Sequence, residues 1–337
     1  MKAVVLPGDE TTSVQTRPDP VPVTGEVLIR VRASAVCGSD MSAFRGDPVV
    51  GGSQEGGTIP GHEIAGEVAE LGPGVSGLSV GDRVAVYLAI GCMRCEYCRR
   101  GYLMLCPQCQ IVGFHRPGGD AELICVPAVN CMPLPDEFTM TQGAVVTDMF
   151  GTQFSVQERL GVSGTDTVLV FGLGPMGAAA VAVAKARGAH VIGVDPVEGR
   201  RELGERLGAD EVIPFDVEQM QELAARGGGV DIAIECSGNT GAVNAALDGV
   251  RPFGKVAIVG EAREVPIRPS DQLIRKLTTV IGGWYFPIWQ FDRIADFMLR
   301  RQVPLESIVS HRFSLDDAPD AFKMLRDRSA EKMVFEP

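Results

Sequence analysis

The order of apolar and polar positions divides the chain into two textures. Over roughly the first 150 residues the apolar runs are short and punctuated by Gly and Pro: "EVLIRVRAS" from Glu26, "EIAGEVAEL" from Glu63, "DRVAVYLAI" from Asp82 and "AELICVPA" from Ala121. Several alternate apolar with polar side chains, the period of half-buried antiparallel strands. From Thr167 a regular alternation begins. The strand-like "TVLVF" precedes the alanine-rich helical run "PMGAAAVAVAKARG", which stops at Gly188. The runs "HVIGVD", "EVIPF", "VDIAIE", "KVAIVG" and "LTTVIGG" follow, with helical segments between them. Six such runs predict an open, mostly parallel, doubly wound sheet, and hence an α/β chain. Beyond Gly283, "WYFPIWQFDRIADFMLRR" predicts an aromatic loop and an amphipathic helix, after which the tail is expected to rejoin the first domain. The expected boundaries are 1–149 with 286–337 for one domain and 150–285 for the other. The glycine-rich stretch Gly46 to Gly57 is expected to be mobile.

A length of 337 residues exceeds what one core normally supports. Hydrophobic residues make up 45% and charged residues 22%, an ordinary globular balance. No apolar run reaches the ~18–20 residues of a membrane span. The opening "MKAVVLPGDE" meets Asp9 and Glu10 without a signal-like apolar core, so a cytoplasmic location is expected. A net charge of −12 argues against nucleic acid or an anionic membrane as partner. Nine cysteines without a secretory signal favour thiols and metal ligands over disulfides.

Gly172, Gly174 and Gly177 form G-x-G-x-x-G directly after a strand-like run, with Pro175 and Met176 opening the helix. The three glycines suit a tight turn, close approach to a pyrophosphate, and close helix–strand packing. The helix N-terminus presents free N–H groups to phosphate. Asp195 lies 21 residues past Gly174, at the end of the next strand. A carboxylate about 20 residues on accepts from ribose hydroxyls and repels a 2′-phosphate, which favours NAD over NADP. Arg200 and Arg201 follow closely and weigh the other way; a merely helix-capping Asp195 is the bland alternative.

Cys92, Cys95, Cys98 and Cys106 form C-x2-C-x2-C-x7-C, with Cys109 close behind as a rival fourth ligand. Four thiolates this close suit tetrahedral zinc of the closed, structural kind, with nearby Arg94, Arg99 and Arg100 offsetting charge. Redox pairs are the alternative, without a thioredoxin-like setting to support them. Cys37 in "CGSD", His62 and Glu63 in "PGHE", and Asp148 in "TDMF" add a thiolate, an imidazole and carboxylates, well separated along the chain. Three such ligands are the number a catalytic zinc uses, but spacing alone leaves a structural role for each of them open.

"CGSD", "GHE", the four-cysteine lobe, "TDMFGT" and "GLGPMG" occur in an order that resembles the zinc-containing medium-chain alcohol dehydrogenases, over essentially the whole chain. The likeness is to the bacterial secondary-alcohol, polyol and threonine dehydrogenase branch. It implies a GroES-like, mostly antiparallel β catalytic domain beside a six-stranded Rossmann domain, with the active site in the cleft between them. It implies two zinc ions per chain, NAD, a small alcohol substrate and a homodimer or homotetramer. Carried over, Cys37 and His62 are catalytic zinc ligands, and Asp148 stands where the family has Cys or an acidic ligand. Glu63 matches a residue that ligates in some members and lies just behind the metal in others. Ser39 matches the hydroxyl that hydrogen-bonds the substrate oxygen and passes its proton outward, and Asp40 the carboxylate that orients the zinc-bound imidazole. Where many relatives have a relay histidine this chain has Ser42, which leaves water, the cofactor ribose, or the substrate's own groups to complete the relay.

Ser237 and Gly238 are expected beside the nicotinamide, with the Cys236 thiol as packing. His115 is expected to be structural more than functional, and His190 and His311 to be bystanders. Trp284, Tyr285, Phe286 and Trp289 are candidates for one hydrophobic wall. Two other functions share this fold: a zinc-independent enone or quinone reductase, and a non-catalytic dinucleotide-binding protein.

Overall fold

The computed structural model describes residues 1–47, 54–216 and 228–337. The chain folds as two units: 1–148 with 287–295 and 309–337, and 149–286 with 296–308. The division departs from the expected boundary over 296–308, which groups with the second unit. The helix Phe291–Arg300 crosses the division, and within the second unit Phe297 meets Phe154 edge-on at 5.2 Å. Its apolar positions Phe291, Ile294, Ala295 and Met298 recur at helical spacing and are all buried. Residues 48–53 of the expected mobile loop lie outside the described residues.

In the first unit, the alternating runs become a seven-stranded sheet built on the long strand Glu26–Val36. That strand pairs antiparallel with Glu63–Leu71, Leu123–Pro127 and Lys332–Phe335. Val27, Ile29, Val31, Ile64, Val84, Val86 and Ile124 close a core on one side of it. "DRVAVYLAI" is not one strand: it breaks into Arg83–Val86 and Ala89–Ile90, and the second piece pairs with Gln110–Ile111 beside the cysteine lobe.

In the second unit all six predicted runs pair in parallel. The sheet order is Glu211–Ile213, His190–Val194, Thr167–Phe171, Val230–Glu235, Val250–Ile258, Thr279–Gly282. The order reverses beside Thr167–Phe171, which makes the carboxyl end of that strand the switch point where such sheets bind ligands. The helix Pro175–Ala186 is buried from Gly177 to Ala184, as a run of Ala and Val with no polar face requires. Burying Val181 and Val183 contributes about 1.5–3 kcal/mol each.

Candidate active site

Two of the predicted donor sets converge in the first unit. One ligand atom from each of Cys37, His62, Glu63 and Asp148 lies within 4.8 Å of all the others. Each arrives by a different local device. Cys37 ends the long strand, and the turn after it is closed by the Cys37 N–H donating to Asp40 Oδ2 at 2.8 Å. His62 and Glu63 stand at the start of the Glu63–Leu71 strand. Asp148 lies in a widened π-type turn, Val146–Phe150, a distortion that re-aims a helical side chain and recurs at functional sites.

The fully buried Asp40 serves both ends of the site: its Oδ2 fixes the Cys37 turn, and its Oδ1 lies 3.3 Å from His62 Nδ1. The other nitrogen, Nε2, lies 3.6 Å from Asp148 Oδ2. A carboxylate behind an imidazole fixes ring orientation and raises its basicity. Burial works against a charged His62, but Asp40, Asp148 and Cys37 outweigh it and hold its pKa well above the usual range. Phe114 walls the ring at 5.5 Å between centroids. Burial pushes the Glu63 carboxyl up to about 7 against the pull of the Lys332 ammonium. Thiolate, imidazole and carboxylate donors meet here in one enclosed cluster, and Glu63 Oε2 has no partner among the described residues. Such a donor set fits a divalent transition metal.

Ser39 sits at the helix cap before Asp40–Phe44, and its hydroxyl does not cap that helix. Ser42 Oγ is spent locally, donating to the Ser39 carbonyl at 2.7 Å.

Cys92, Cys95, Cys98 and Cys106 form the second cluster, again within 4.8 Å, and Cys109 is not among them. Backbone N–H groups aim at the sulfurs, from Cys92 and Gln108 to Cys106 Sγ at 3.3 Å and from Cys98 to Cys95 Sγ at 3.5 Å. The N–H groups of Arg94 and Cys95 bring the Cys92 thiol down to about 6, a value suited to a metal-binding thiolate. Of the expected arginines, Arg100 pairs with Glu96 and Arg94 reaches Gln108.

In the second unit, Gly172 has φ +81, a conformation other residues adopt at a cost. A Cβ on Gly177 would lie 1.7 Å from the Gly172 carbonyl oxygen, whereas one on Gly174 would meet nothing within 4 Å among the described residues. Gly177 is thus small for packing, and Gly174 leaves open space at the helix start. Asp195, 1% exposed, accepts from the Leu173 N–H at 2.8 Å and the Val197 N–H at 2.8 Å. It therefore ties the fingerprint turn to its own strand end, and each oxygen keeps a second lone pair. Arg200 Nη1 lies 3.7 Å from Asp195 Oδ2, and Arg201 donates to the Asp195 carbonyl.

Sequence reasoning missed three buried ionisable groups. Glu235 closes the loop after its strand by accepting from the Ser237 and Gly238 N–H groups. Asp120, held up to about 8 chiefly by burial, accepts from Ser34 Oγ at 2.6 Å. Lys332 donates to Glu63 Oε1 at 2.5 Å. The one available signal was a lone Lys opening the otherwise apolar "KMVF" strand. His115 is structural, accepting from the Ile111 N–H. Of the four aromatic residues, Trp284 stacks on Tyr285 and Phe286 is buried in the second unit, and Trp289 packs over Gly101 in the first.

Residues 23–136 match the alcohol dehydrogenase GroES-like domain, and residues 175–300 the zinc-binding dehydrogenase family. The chain is 32% identical to an uncharacterized zinc-type alcohol dehydrogenase-like protein of Escherichia coli K12, over 99% of this chain and 98% of that protein. It is 35% identical to an L-threonine 3-dehydrogenase of Pyrococcus horikoshii, over 94% and 92% of the two chains. The solved alcohol dehydrogenase TADH of Thermus sp. ATN1 superposes with a TM-score of 0.89 at 29% identity, over 100% of this chain and 99% of that one. The chain belongs to the zinc-type medium-chain alcohol dehydrogenase family, oxidoreductases that oxidise alcohols with NAD(P).

Proposed function

We propose that the protein oxidises a secondary alcohol, polyol or amino-alcohol to a ketone or aldehyde, with NAD as hydride acceptor and two zinc ions per chain. The observation that carries this reading is the four-donor cluster at Cys37, in a chain that also carries a dinucleotide fingerprint ending on Asp195. Cys37, His62 and Asp148 would hold the catalytic zinc, and Cys92, Cys95, Cys98 and Cys106 a structural one. A catalytic zinc supplies Lewis acidity, lowering the pKa of an alcohol toward neutrality. Ser39 accepts the hydroxyl proton and passes it outward, while Asp40 holds His62 in the tautomer that leaves Nε2 free to ligate. With the Ser42 hydroxyl committed to the Ser39 carbonyl, the next proton carrier is water, the cofactor ribose or the substrate. Bound NAD would supply the hydride acceptor, and the loop that Glu235 shapes through the Ser237 and Gly238 N–H groups would hold its nicotinamide end.

The kinship with threonine dehydrogenases places 3-hydroxy amino acids on the substrate panel beside simple secondary alcohols and polyols. The decisive experiment is reduction of NAD and NADP across that panel, before and after chelation, with zinc measured on the same preparation. Chelator-sensitive NAD reduction on one substrate class, at about two zinc ions per chain, is the expected result. Turnover indifferent to chelation returns the zinc-independent reductase, and tight NAD binding with one zinc and no turnover returns the non-catalytic reading.

NAD preference rests on the Asp195 charge. Asp195→Asn keeps the shape and one of the two acceptors of the turn, giving up the other, while removing the repulsion of a 2′-phosphate. The ratio of kcat/KM for NADP over NAD is expected to rise about 10- to 100-fold. An unchanged ratio assigns the preference elsewhere.

We further infer a homo-oligomer. Thr279–Gly282 is an edge strand of the six-stranded sheet, and Val280, Leu277, Ile274 and Phe253 of the same unit expose apolar surface. Such an edge invites pairing with a second copy. Val280→Asp is expected to shift the chain toward monomer in sedimentation velocity; an unchanged species would clear this edge of the role.

A further inference from the structure

We propose that Lys332 is a positioning residue: by holding Glu63 in an ion pair it keeps the fourth position of the catalytic metal open. The inference rests on the catalytic-zinc reading above and concerns a residue that reading does not use.

Glu63 is close enough to compete for the metal. Its carboxylate shares the 4.8 Å cluster with Cys37, His62 and Asp148, and its Oε2 has no partner among the described residues. What restrains it is the contact from Lys332 Nζ to Oε1 at 2.5 Å, between residues 269 apart in sequence. The placement of Lys332 follows from sheet register. The C-terminal strand pairs antiparallel with Glu26–Val36, Met333 opposite Val36, so Lys332 stands one residue along, next to Cys37. Its side chain is 2% exposed and Glu63 1%.

Stability does not explain such a pair well. Desolvating two charges generally consumes what their attraction returns, and well-packed apolar residues often do as well. Charge balance explains it better. A divalent cation with the Cys37 thiolate, the Asp148 carboxylate and a neutral His62 sums to zero. Glu63 then adds one buried negative charge, and Lys332 cancels it. Without Lys332, the nearest cation left to the Glu63 carboxylate is the metal itself. Three protein ligands with one open position mark catalytic zinc, while four mark the closed, structural kind. Lys332 thus holds Glu63 in the place behind the metal and not on it.

The test uses the full-length protein with cobalt(II) in place of zinc, and imidazole as the probe of an open position, read by visible absorption. The native protein is expected to show a Cys37-dependent cobalt band that shifts on imidazole addition. In Lys332→Met the imidazole shift should weaken at least about 10-fold and zinc be held about 10- to 100-fold more tightly, the range over which residues behind a ligand act. Lys332→Arg should behave as native, and Lys332→Met with Glu63→Gln should recover the imidazole response, because the competing carboxylate is gone. Far-UV circular dichroism and a thermal melt on each variant separate positioning from folding, since a purely structural pair would move the melt while the imidazole response of the folded protein stayed native. An unchanged imidazole response in Lys332→Met, or no recovery in the double variant, overturns the role of Lys332 alone. A native protein without any Cys37-dependent band overturns the catalytic-zinc reading, and this inference with it.

Discussion

Cys37→Ser is expected to lower kcat/KM by about 10³-fold or more and to remove one of the two proposed zinc ions, leaving the other in place. The size follows from what is lost. Lewis-acid stabilisation by a bound metal is worth several kcal/mol at the transition state, and each 1.36 kcal/mol is a factor of ten. A serine hydroxyl is a poor ligand for zinc at neutral pH, where a cysteine in this setting binds as the thiolate. The fold should survive, because Cys37 is partly exposed and its part in the local turn is its backbone N–H, which Ser also has. Metal analysis, far-UV circular dichroism and kinetics on one preparation check the prediction. Loss of one zinc with turnover intact would make the Cys37 cluster structural and return the zinc-independent reductase to the lead. Loss of both zinc ions would mean that the two clusters fold as one unit.

Gly177→Ala is the second large effect, and it acts on the other unit. The added Cβ would fall 1.7 Å from the Gly172 carbonyl oxygen and 2.8 Å from its carbon, backbone against backbone, with no flexible side chain to yield. The helix Pro175–Ala186 must therefore move off the strand Thr167–Phe171. Overpacking of this kind costs about 1–3 kcal/mol, occasionally more. The displaced helix N-terminus is no longer aimed at the pyrophosphate, and misplacement by about 1 Å is enough for an effect of about 10²-fold. NADH fluorescence titration and a thermal melt should show weaker cofactor binding and a lower midpoint together. Gly174→Ala is the matched control: its Cβ meets nothing within 4 Å among the described residues, so the fold should hold. Cofactor affinity lost there without loss of stability places a ligand in that space. Native affinity in both variants would sink the dinucleotide assignment of this turn.

The two predictions rest on features that were unequally legible in the sequence. The fingerprint could be read almost completely, because each of its parts is local. A strand, three glycines, a helix start and the next strand end follow within about 25 residues, and the backbone of one βαβ unit brings them together whatever the rest of the chain does. The six parallel strands were legible for the same reason, since buried strands in such sheets are continuous apolar runs. The cysteine array was legible as a cluster but not in its last member. Cys106 and Cys109 are three residues apart, and only the folded loop, with N–H groups from Cys92 and Gln108 aimed at the Cys106 sulfur, separates the ligand candidate from the bystander.

At the Cys37 site the balance reverses. The residue types alone made a metal conceivable, and the resemblance named its ligands, but convergence is a tertiary fact. Cys37, His62 and Asp148 come from a strand end, a strand start and a distorted helical turn, and no spacing rule relates the three. Lys332 was legible only as an odd charge in a short apolar strand, and its meaning depends on antiparallel register with a strand some 300 residues away. Taken by itself, the sequence determined the alternation of strands and helices, the dinucleotide turn, the cysteine lobe and the repertoire of metal-binding side chains, all set by short-range periodicity and local backbone chemistry. Tertiary structure alone decided which donors meet, which carboxylate stands behind His62, which cation restrains Glu63, and which strand is left as an edge. Those depend on packing between segments distant in the chain, where sequence separation carries no information about distance.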